Sequence, residues 1–398
     1  MKKVVLFFAL IVGLLTSAST LQAQTVNMSR YITLTVKNGA AIKLDFKAAS
    51  AATPVRIVSG STTRDITVST DWTGPRNYIA GSTTMTIYGD ISRFNCGGNG
   101  ANLTAIDVSN NTQLTELNCY HNQLSSLDVS HNTQLTYLDC SSNPLSSLDV
   151  SKNTQLTKLI CSNNRLTSLD VSKNTQLTSL DCYSNQLTSL DVSHNTQLEE
   201  LYCYSNSLSN LDVSHNTQLT ELSCYSNQLT SLDLSNNTQL KKLYCYDNKF
   251  TTATLDDIFC ALPDRTGNTN GKIQPIFNSS SPNHATVLAT NAANATAKNW
   301  KVQYYDGNVD ITTTGSYVCG TPHTDIAEAA AEQALTLYPN PVADVLYLSA
   351  TARTIRIYDI YGIEVAHAAD TDRIDVAHLP AGVYTVRADG TVAKMVKR

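Results

Sequence analysis

The chain has 398 residues, of which 15% are charged, and a formal net charge of −5, with a sequence pI near 5.9. That balance gives no basic footprint and excludes nucleic acid as the natural partner. Its 10 cysteines make the redox setting and the pattern of their spacing the first questions.

Residues 1–23 carry two lysines, an apolar run from Val4 to Leu15 and then small residues before Gln24, which predicts a cleaved secretory signal. The run is too short to span a bilayer, which takes about 20 residues, and no other transmembrane segment is expected. Residues 24–85 form a β-rich N-terminal cap. Tyr31–Val36, Ile42–Phe46, Pro54–Val58 and Asp65–Val68 are short alternating runs between Gly, Ser and Thr turns, the pattern of strands.

Residues 86–252 hold the repeats. From Leu114 to Phe250 the chain repeats every 21 residues, seven times, as LDVSxNTQLTxL followed by xCxxNxL. This frame is a leucine-rich repeat signature and predicts a repeat solenoid with a parallel β-sheet on its concave face, where equivalent residues stack in columns about 4.8 Å apart. Leu117, Leu138, Leu159, Leu180, Leu201, Leu222 and Leu243 alternate with Cys119, Cys140, Cys161, Cys182, Cys203, Cys224 and Cys245, so both columns point inward. Neighbours in one inward column share a direction and stand too far apart for a bridge, which needs about 3.8 Å between Cβ atoms. A ladder of free, buried thiols is therefore expected, with Cys96 fitting one earlier, looser coil. No CxxC or Cys/His pairing accompanies the ladder, so no zinc is expected.

Two asparagine columns, Asn122 to Asn248 and Asn111 to Asn237, each recur at the same period and are expected to satisfy the backbone of the turns rather than a ligand. An aspartate column, Asp128, Asp149, Asp170, Asp191, Asp212 and Asp233, reads as carboxylates bonding the adjacent turn, because the spacing lacks the clustered ligands of a calcium loop. His131, His194 and His215 share a position with Lys152 and Lys173 and read as solvated variable residues.

The variable strand positions form the display surface. One column reads Tyr120, Ser141, Ser162, Tyr183, Tyr204, Tyr225, Tyr246, and its neighbour reads Asn118, Asp139, Ile160, Asp181, Tyr202, Ser223, Tyr244. Tyrosine offers large contact area, little rotamer entropy and a polar tip, so Tyr183, Tyr202, Tyr204, Tyr225, Tyr244 and Tyr246 are the expected ligand-binding surface, with Lys158, Arg165 and Lys242 beside them. The alternative is that equivalent tyrosines simply stack as a ladder between coils. Lys249, Glu116, Glu200 and Glu221 make the face mixed in sign, which favours a host or bacterial surface protein or glycan as partner.

Residues 253–319 predict an α/β C-terminal cap: helix Leu255–Leu262, strand Lys272–Phe277, a helix over about Ala285–Lys298 and strand Lys301–Tyr305. Cys260 and Cys319 are open to a disulfide, although Cys260 also fits the apolar helix face of Leu255, Ile258, Phe259 and Leu262. Residues 320–334 are small and polar and read as a linker. From 335 to 398, the runs Val345–Leu348, Thr354–Tyr358 and Val383–Val386, with turns at Pro339–Pro341, Tyr361–Gly362 and Pro380–Gly382, predict a small Ig-like β-sandwich.

Catalytic motifs are missing throughout, and neither an enzyme nor a cofactor is expected. Within residues 335–398, Tyr338-Pro339-Asn340-Pro341, Ile357–Gly362 with Gly362 closing it, Leu379-Pro380-Ala381-Gly382-Val383-Tyr384 and the basic ending with Lys394 and Lys397 resemble the C-terminal sorting domain of the type IX secretion system of Bacteroidetes. That resemblance implies export through the outer membrane by the secretion machinery, cleavage in the linker by its sortase, and attachment to surface lipopolysaccharide. The repeats resemble the internalin-J-like family and internalin-related surface proteins of Bacteroidetes such as Porphyromonas, in period and in cysteine ladder, without the helical cap and wall anchor of internalins proper. This second resemblance implies fold and surface display, and it transfers no ligand. The functional expectation is adhesion to host, partner bacteria or biofilm, with a structural component of the cell coat as the alternative.

Overall fold

Each repeat builds one coil, and each coil contributes one three-residue strand to a common parallel sheet. The computed structural model describes residues 25–321, 337–359, 363–388 and 391–398; the expected signal at 1–23, almost all of the linker and the Tyr361–Gly362 turn lie outside the described residues. The chain divides into two units, residues 1–321 and 322–398.

In the first unit, strands β1 (Tyr31–Val36), β2 (Ala41–Ala48), β3 (Thr53–Ser59) and β4 (Thr62–Val68) coincide with the four expected runs. Four more follow that periodicity did not single out: β5 (Arg76–Ile79), β6 (Thr84–Tyr88), β7 (Ile91–Asn95) and β8 (Leu103–Asp107). An antiparallel sheet of order β4-β3-β6-β1-β8 caps the solenoid. Cap and repeats interlock instead of meeting at residue 85: β8 pairs back onto β1, while β7 opens the parallel sheet and β2 and β5 extend it on the outer edge.

The repeat strands are β9 (Glu116–Asn118), β10 (Tyr137–Asp139), β11 (Lys158–Ile160), β12 (Ser179–Asp181), β13 (Glu200–Tyr202), β14 (Glu221–Ser223) and β15 (Lys242–Tyr244). In each, the central leucine is buried and pairs in register with the next, as in Leu180 with Leu201. Three residues past each strand the chain turns through a residue held in the left-handed region, from His121 at φ 50° through Ser142, Asn163, Ser184, Ser205 and Ser226 to Asp247 at φ 52°. Small polar side chains tolerate that region best among non-glycine residues, which is why Ser, Asn, Asp and His fill the column. In the earlier coil Gly98 takes the same place at φ 77°.

The asparagines then close the turn. Asn206 donates from Nδ2 to the carbonyls of Cys182 and Cys203, both at 3.1 Å, and accepts from the Leu187 N–H at 3.0 Å. On the opposite turn Asn195, fully buried, donates to Val171 O at 3.0 Å and Asn174 O at 2.9 Å. Both columns tie one coil to its predecessor: the Asn206 column serves the cysteine carbonyls, and the Asn195 column adds a second donor to carbonyls that already accept from a backbone N–H. The cysteines from Cys96 to Cys245 are all buried and free.

Beyond the repeats, helix α1 (Thr252–Ala261) begins with a capping box formed by Thr251 and Thr254. Strands β16 (Gly271–Ile276) and β17 (Trp300–Tyr304) continue the parallel sheet and end it. The single helix expected over 285–298 is instead two short ones, α2 (His284–Leu288) and α3 (Ala293–Thr296). Side chains intercept the backbone between them: Asp256 accepts from Asn291 N–H at 2.8 Å and Thr313 Oγ1 from Ala292 N–H at 2.9 Å. Cys260 and Cys319 form a disulfide.

The second unit is β-rich, with β18 (Leu337–Tyr338), β19 (Val345–Tyr358), β20 (Glu364–Asp375), β21 (Gly382–Ala388) and β22 (Thr391–Lys397) around a core that includes Leu346, Ile355, Ile357, Val386 and Met395. The expected runs Val345–Leu348 and Thr354–Tyr358 belong to one long strand. Its pairing with β20 slips register between Tyr347 and Ala352, so a bent strand replaces the two that the intervening small residues suggested.

Candidate functional site

Strand register sets two rows of side chains across the concave face. One runs Asp45, Asn95, Asn118, Asp139, Ile160, Asp181, Tyr202, Ser223, Tyr244, Gln274, and the other runs Lys47, Arg93, Glu116, Tyr137, Lys158, Ser179, Glu200, Glu221, Lys242, Lys272. The first row is acidic and amidic at its N-terminal end and aromatic at its C-terminal end. The second is mixed in sign, with Arg93 paired to Glu116 at 2.6 Å and Lys242 to Glu221 at 2.8 Å.

Just beyond the strands stands the tyrosine column. Tyr183, Tyr204, Tyr225 and Tyr246 stack with centroids 4.2 Å apart at each step and planes 8° to 13° from parallel. The coil repeat imposes this: successive strands sit about 4.8 Å apart, close to ring-stacking distance, so identical residues in one column fall face to face. Tyr305 and Phe277 extend the column, with Tyr305 at 4.8 Å and Phe277 at 5.7 Å from Tyr246. Those two come from the C-terminal cap and were not expected at the site, since nothing in their local sequence has the repeat's period. They are 40% and 38% exposed, whereas Tyr246 beneath them is 4% exposed. Tyr244 meets Tyr305 edge-on at 6.2 Å. At the other end Tyr120 lies flat on Gly97, where any Cβ would strike its ring, and Lys43 Nζ stands 5.9 Å from its centroid.

Burial, then the neighbouring tyrosines, raises the hydroxyl pKa of Tyr204 and Tyr246 well above the ordinary range, and burial raises that of Tyr225. Tyr202 is raised by burial and then by Glu221 and Glu200. The strip is therefore an uncharged row of ring edges and hydroxyls. At the N-terminal end, burial and then Asp139, Glu116 and Asp181 push Tyr137 up to about 12, and burial lifts Asp181 to about 6.

The expected site residues divide accordingly. Tyr183, Tyr204, Tyr225 and Tyr246 are brought into one stack, with Tyr202 and Tyr244 in the adjoining row and Lys158 on the concave face. Lys242 is engaged with Glu221. Arg165 is placed elsewhere: it follows the turn asparagine, donates its N–H to Leu145 O at 2.8 Å, and lines a shallow depression with Asn122, Asn143 and Asn164.

Each aspartate of the outer column accepts from the N–H two residues on, as Asp191 does from Ser193 at 2.9 Å, and that bond with the serine hydroxyl holds its pKa low. Among the described residues no group of three or more His, Cys, Asp or Glu is placed to hold a metal ion. Burial raises the thiols of Cys96 and Cys245 to about 12 and the others of the ladder well above their ordinary value, which leaves no nucleophilic thiolate.

In the second unit the motif residues have structural work. Tyr384 donates its hydroxyl to Pro380 O at 2.8 Å, a tyrosine corner that locks the turn of Leu379, Pro380, Ala381 and Gly382. Asn340, between Pro339 and Pro341 and two residues after Tyr338, acts as a substitute strand: it donates to Lys394 O and accepts from Val396 N–H, both at 2.8 Å. Lys397 is buried, with Nζ donating to Arg398 O at 2.9 Å. Gly362 lies outside the described residues.

Comparison with known proteins follows these divisions. Residues 112–153 and 154–195 match the family of leucine-rich repeats, two copies in each case, and residues 336–398 match the secretion system C-terminal sorting domain. No curated protein matches the chain. Among solved structures, the functional domain of InlJ from Listeria monocytogenes, which includes a cysteine ladder, is similar at 25% identity over 78% of this chain and 81% of that one, with a TM-score of 0.38. Internalin C2 of Listeria monocytogenes is similar at 21% identity over 41% and 74%, TM-score 0.39. A Leptospira interrogans leucine-rich repeat protein is similar at 23% over 39% and 43%, TM-score 0.38. Among the described residues no helix is long and apolar enough to cross a membrane. The chain carries leucine-rich repeats and a secretion system C-terminal sorting domain, which directs it by type IX secretion to the cell surface or the extracellular space.

Proposed function

We propose that this protein is a surface-displayed adhesin whose concave, tyrosine-rich strip binds a protein or glycan on host cells or partner bacteria. The observation that supports this reading is the stack of Tyr183, Tyr204, Tyr225 and Tyr246 at 4.2 Å spacing, continued by the exposed Tyr305 and Phe277. A stack formed by the coil repeat is rigid before any ligand arrives, so binding loses little side-chain entropy there. Its edges and hydroxyls face outward while its charge stays zero, which suits polar contact without selection by sign. A second reading, a component of the cell coat with no single ligand, draws on the same stack, since the rings already satisfy one another's faces.

The test is saturable binding of the full chain to host cells, extracellular-matrix proteins and partner bacteria, set against a variant with Tyr183→Ala, Tyr204→Ala and Tyr225→Ala together. Tyr246 is left unchanged because it is buried. The adhesin reading expects the variant to keep its buried thiols and lose at least about tenfold in affinity, the range of truncating central aromatic anchors. Equal binding by both proteins, or binding by neither, favours the coat component.

A further inference from the structure

The N-terminal end of the concave face has a second feature that the tyrosine strip does not use. A cavity of ≈ 650 Å³ opens between the loop after β4 and the first coils, lined by Asp45, Trp72, Pro75, Glu116, Asn118 and Tyr137 among others. Trp72 is 39% exposed, whereas the other tryptophan, Trp300, is buried, as so large an aromatic usually is on average. Asp45 is 93% buried at the floor, being 7% exposed. Its Oδ1 accepts from Phe46 N–H at 2.9 Å and from Thr73 Oγ1 at 2.8 Å, while among the described residues no donor reaches its Oδ2.

No lysine, arginine or histidine lines this cavity. In the adjoining row Arg93 is paired with Glu116 at 2.6 Å, and Lys158 stands beside Tyr137 on the next strand. Asp139 continues the acidic row on the next strand but one from Asn95. A buried carboxylate with an open oxygen, framed by an indole and a phenol, is the chemistry that holds a desolvated cation: an ion pair at the floor and aromatic faces around the stem.

From this geometry we infer that the cavity is a binding site for a lysine or arginine side chain of a partner polypeptide. Asp45 takes the charged head, Trp72 and Tyr137 flank the stem, and Asn118 offers an amide to the partner's backbone. The inference goes beyond the adhesive strip and does not depend on it, because the cavity and the tyrosine stack draw on different coils.

The test uses the full chain and blocked alanine pentapeptides with lysine, arginine, norleucine or glutamate at the centre, followed by tryptophan fluorescence and calorimetry. Trp300 is buried, so Trp72 is the responsive fluorophore. Lysine and arginine peptides are expected to change its emission saturably, more weakly as salt rises, while the norleucine and glutamate peptides do not. Asp45→Asn keeps an acceptor for Phe46 and Thr73 but removes the charge, and it is expected to weaken lysine-peptide binding by about tenfold, as is Trp72→Ala, the scale of one desolvated cation–π contact. Equal binding of the norleucine peptide, unchanged affinity in a folded Asp45→Asn variant, or saturation by a neutral methyl glycoside in place of the lysine peptide would each overturn the assignment. Triple replacement of the strip tyrosines leaves this assay unaffected, so the two readings fail separately.

Discussion

Asn195 shows how a single side chain carries two coils. Its amide nitrogen serves two buried carbonyls of the preceding coil, Val171 O and Asn174 O, each of which also accepts from a backbone N–H of its own turn, so Asn195→Ala removes the two bonds between coils without orphaning either oxygen. Each such bond contributes about 0.5–1.5 kcal/mol net, and a loss of about 1–3 kcal/mol in urea unfolding is expected, whereas Asp191→Ala on the exposed turn costs under about 1 kcal/mol. The thiol ladder gives a pH prediction. Burial places Cys96 and Cys245 near 12 against an ordinary 9.0, so the unfolded chain releases these protons first. Their contribution is complete below the ordinary value and is lost as pH rises from there toward about 12, and the urea midpoint should fall steadily across that window. At about pH 8 a thiol reagent should label the ladder only after unfolding; rapid labelling of the native chain would contradict the burial of the column. At this scale the sequence was most legible, since leucine, cysteine and asparagine each recur in one environment and need only one explanation.

At the scale of elements, the terminal coils differ from the repeats because nothing follows them to cover their cores. The C-terminal end is closed by α1, α2 and α3 and by a disulfide joining residues 59 apart in sequence, Cys260 and Cys319. Closing a loop of that length removes about 4 kcal/mol of unfolded-state entropy in the chain model. The paired variant Cys260→Ser with Cys319→Ser is therefore expected to raise hydrogen exchange across residues 253–319 while leaving the central coils protected; unchanged exchange in the cap would show that packing alone holds it. Composition left this pairing open, because Cys260 also has the periodicity of a helix face. The split of α2 from α3 was equally hidden, since it depends on Asp256 and Thr313, which lie far away along the chain.

For the molecule as a whole, the solenoid's stability is a sum of coils and the contacts between neighbours. Removing residues 177–197, one whole period, should join Leu156's coil to Leu198's in the same register, preserve the sheet and the caps, and delete one buried thiol, Cys182. The expected result is a folded protein with the same circular dichroism per residue and a lower urea midpoint; collapse to an unfolded chain would mean that the coils are not equivalent in energy as they are in sequence.

What the sequence by itself determined was everything that a coil settles with its immediate neighbours: the period, the inward leucine and cysteine columns, the turn asparagines and the order of the tyrosines along one edge. Regular stacking makes local pattern and three-dimensional environment the same thing. What only the tertiary structure decided lies where the chain departs from that regularity. The antiparallel return of β2 sets Asp45 in the same row as Asn118 and Asp139, the loop bearing Trp72 closes a cavity over Asp45 and Asn118, and Tyr305 and Phe277 arrive from the cap to complete the aromatic stack. These juxtapositions join residues distant in sequence through packing and strand exchange, and no periodicity along the chain encodes them.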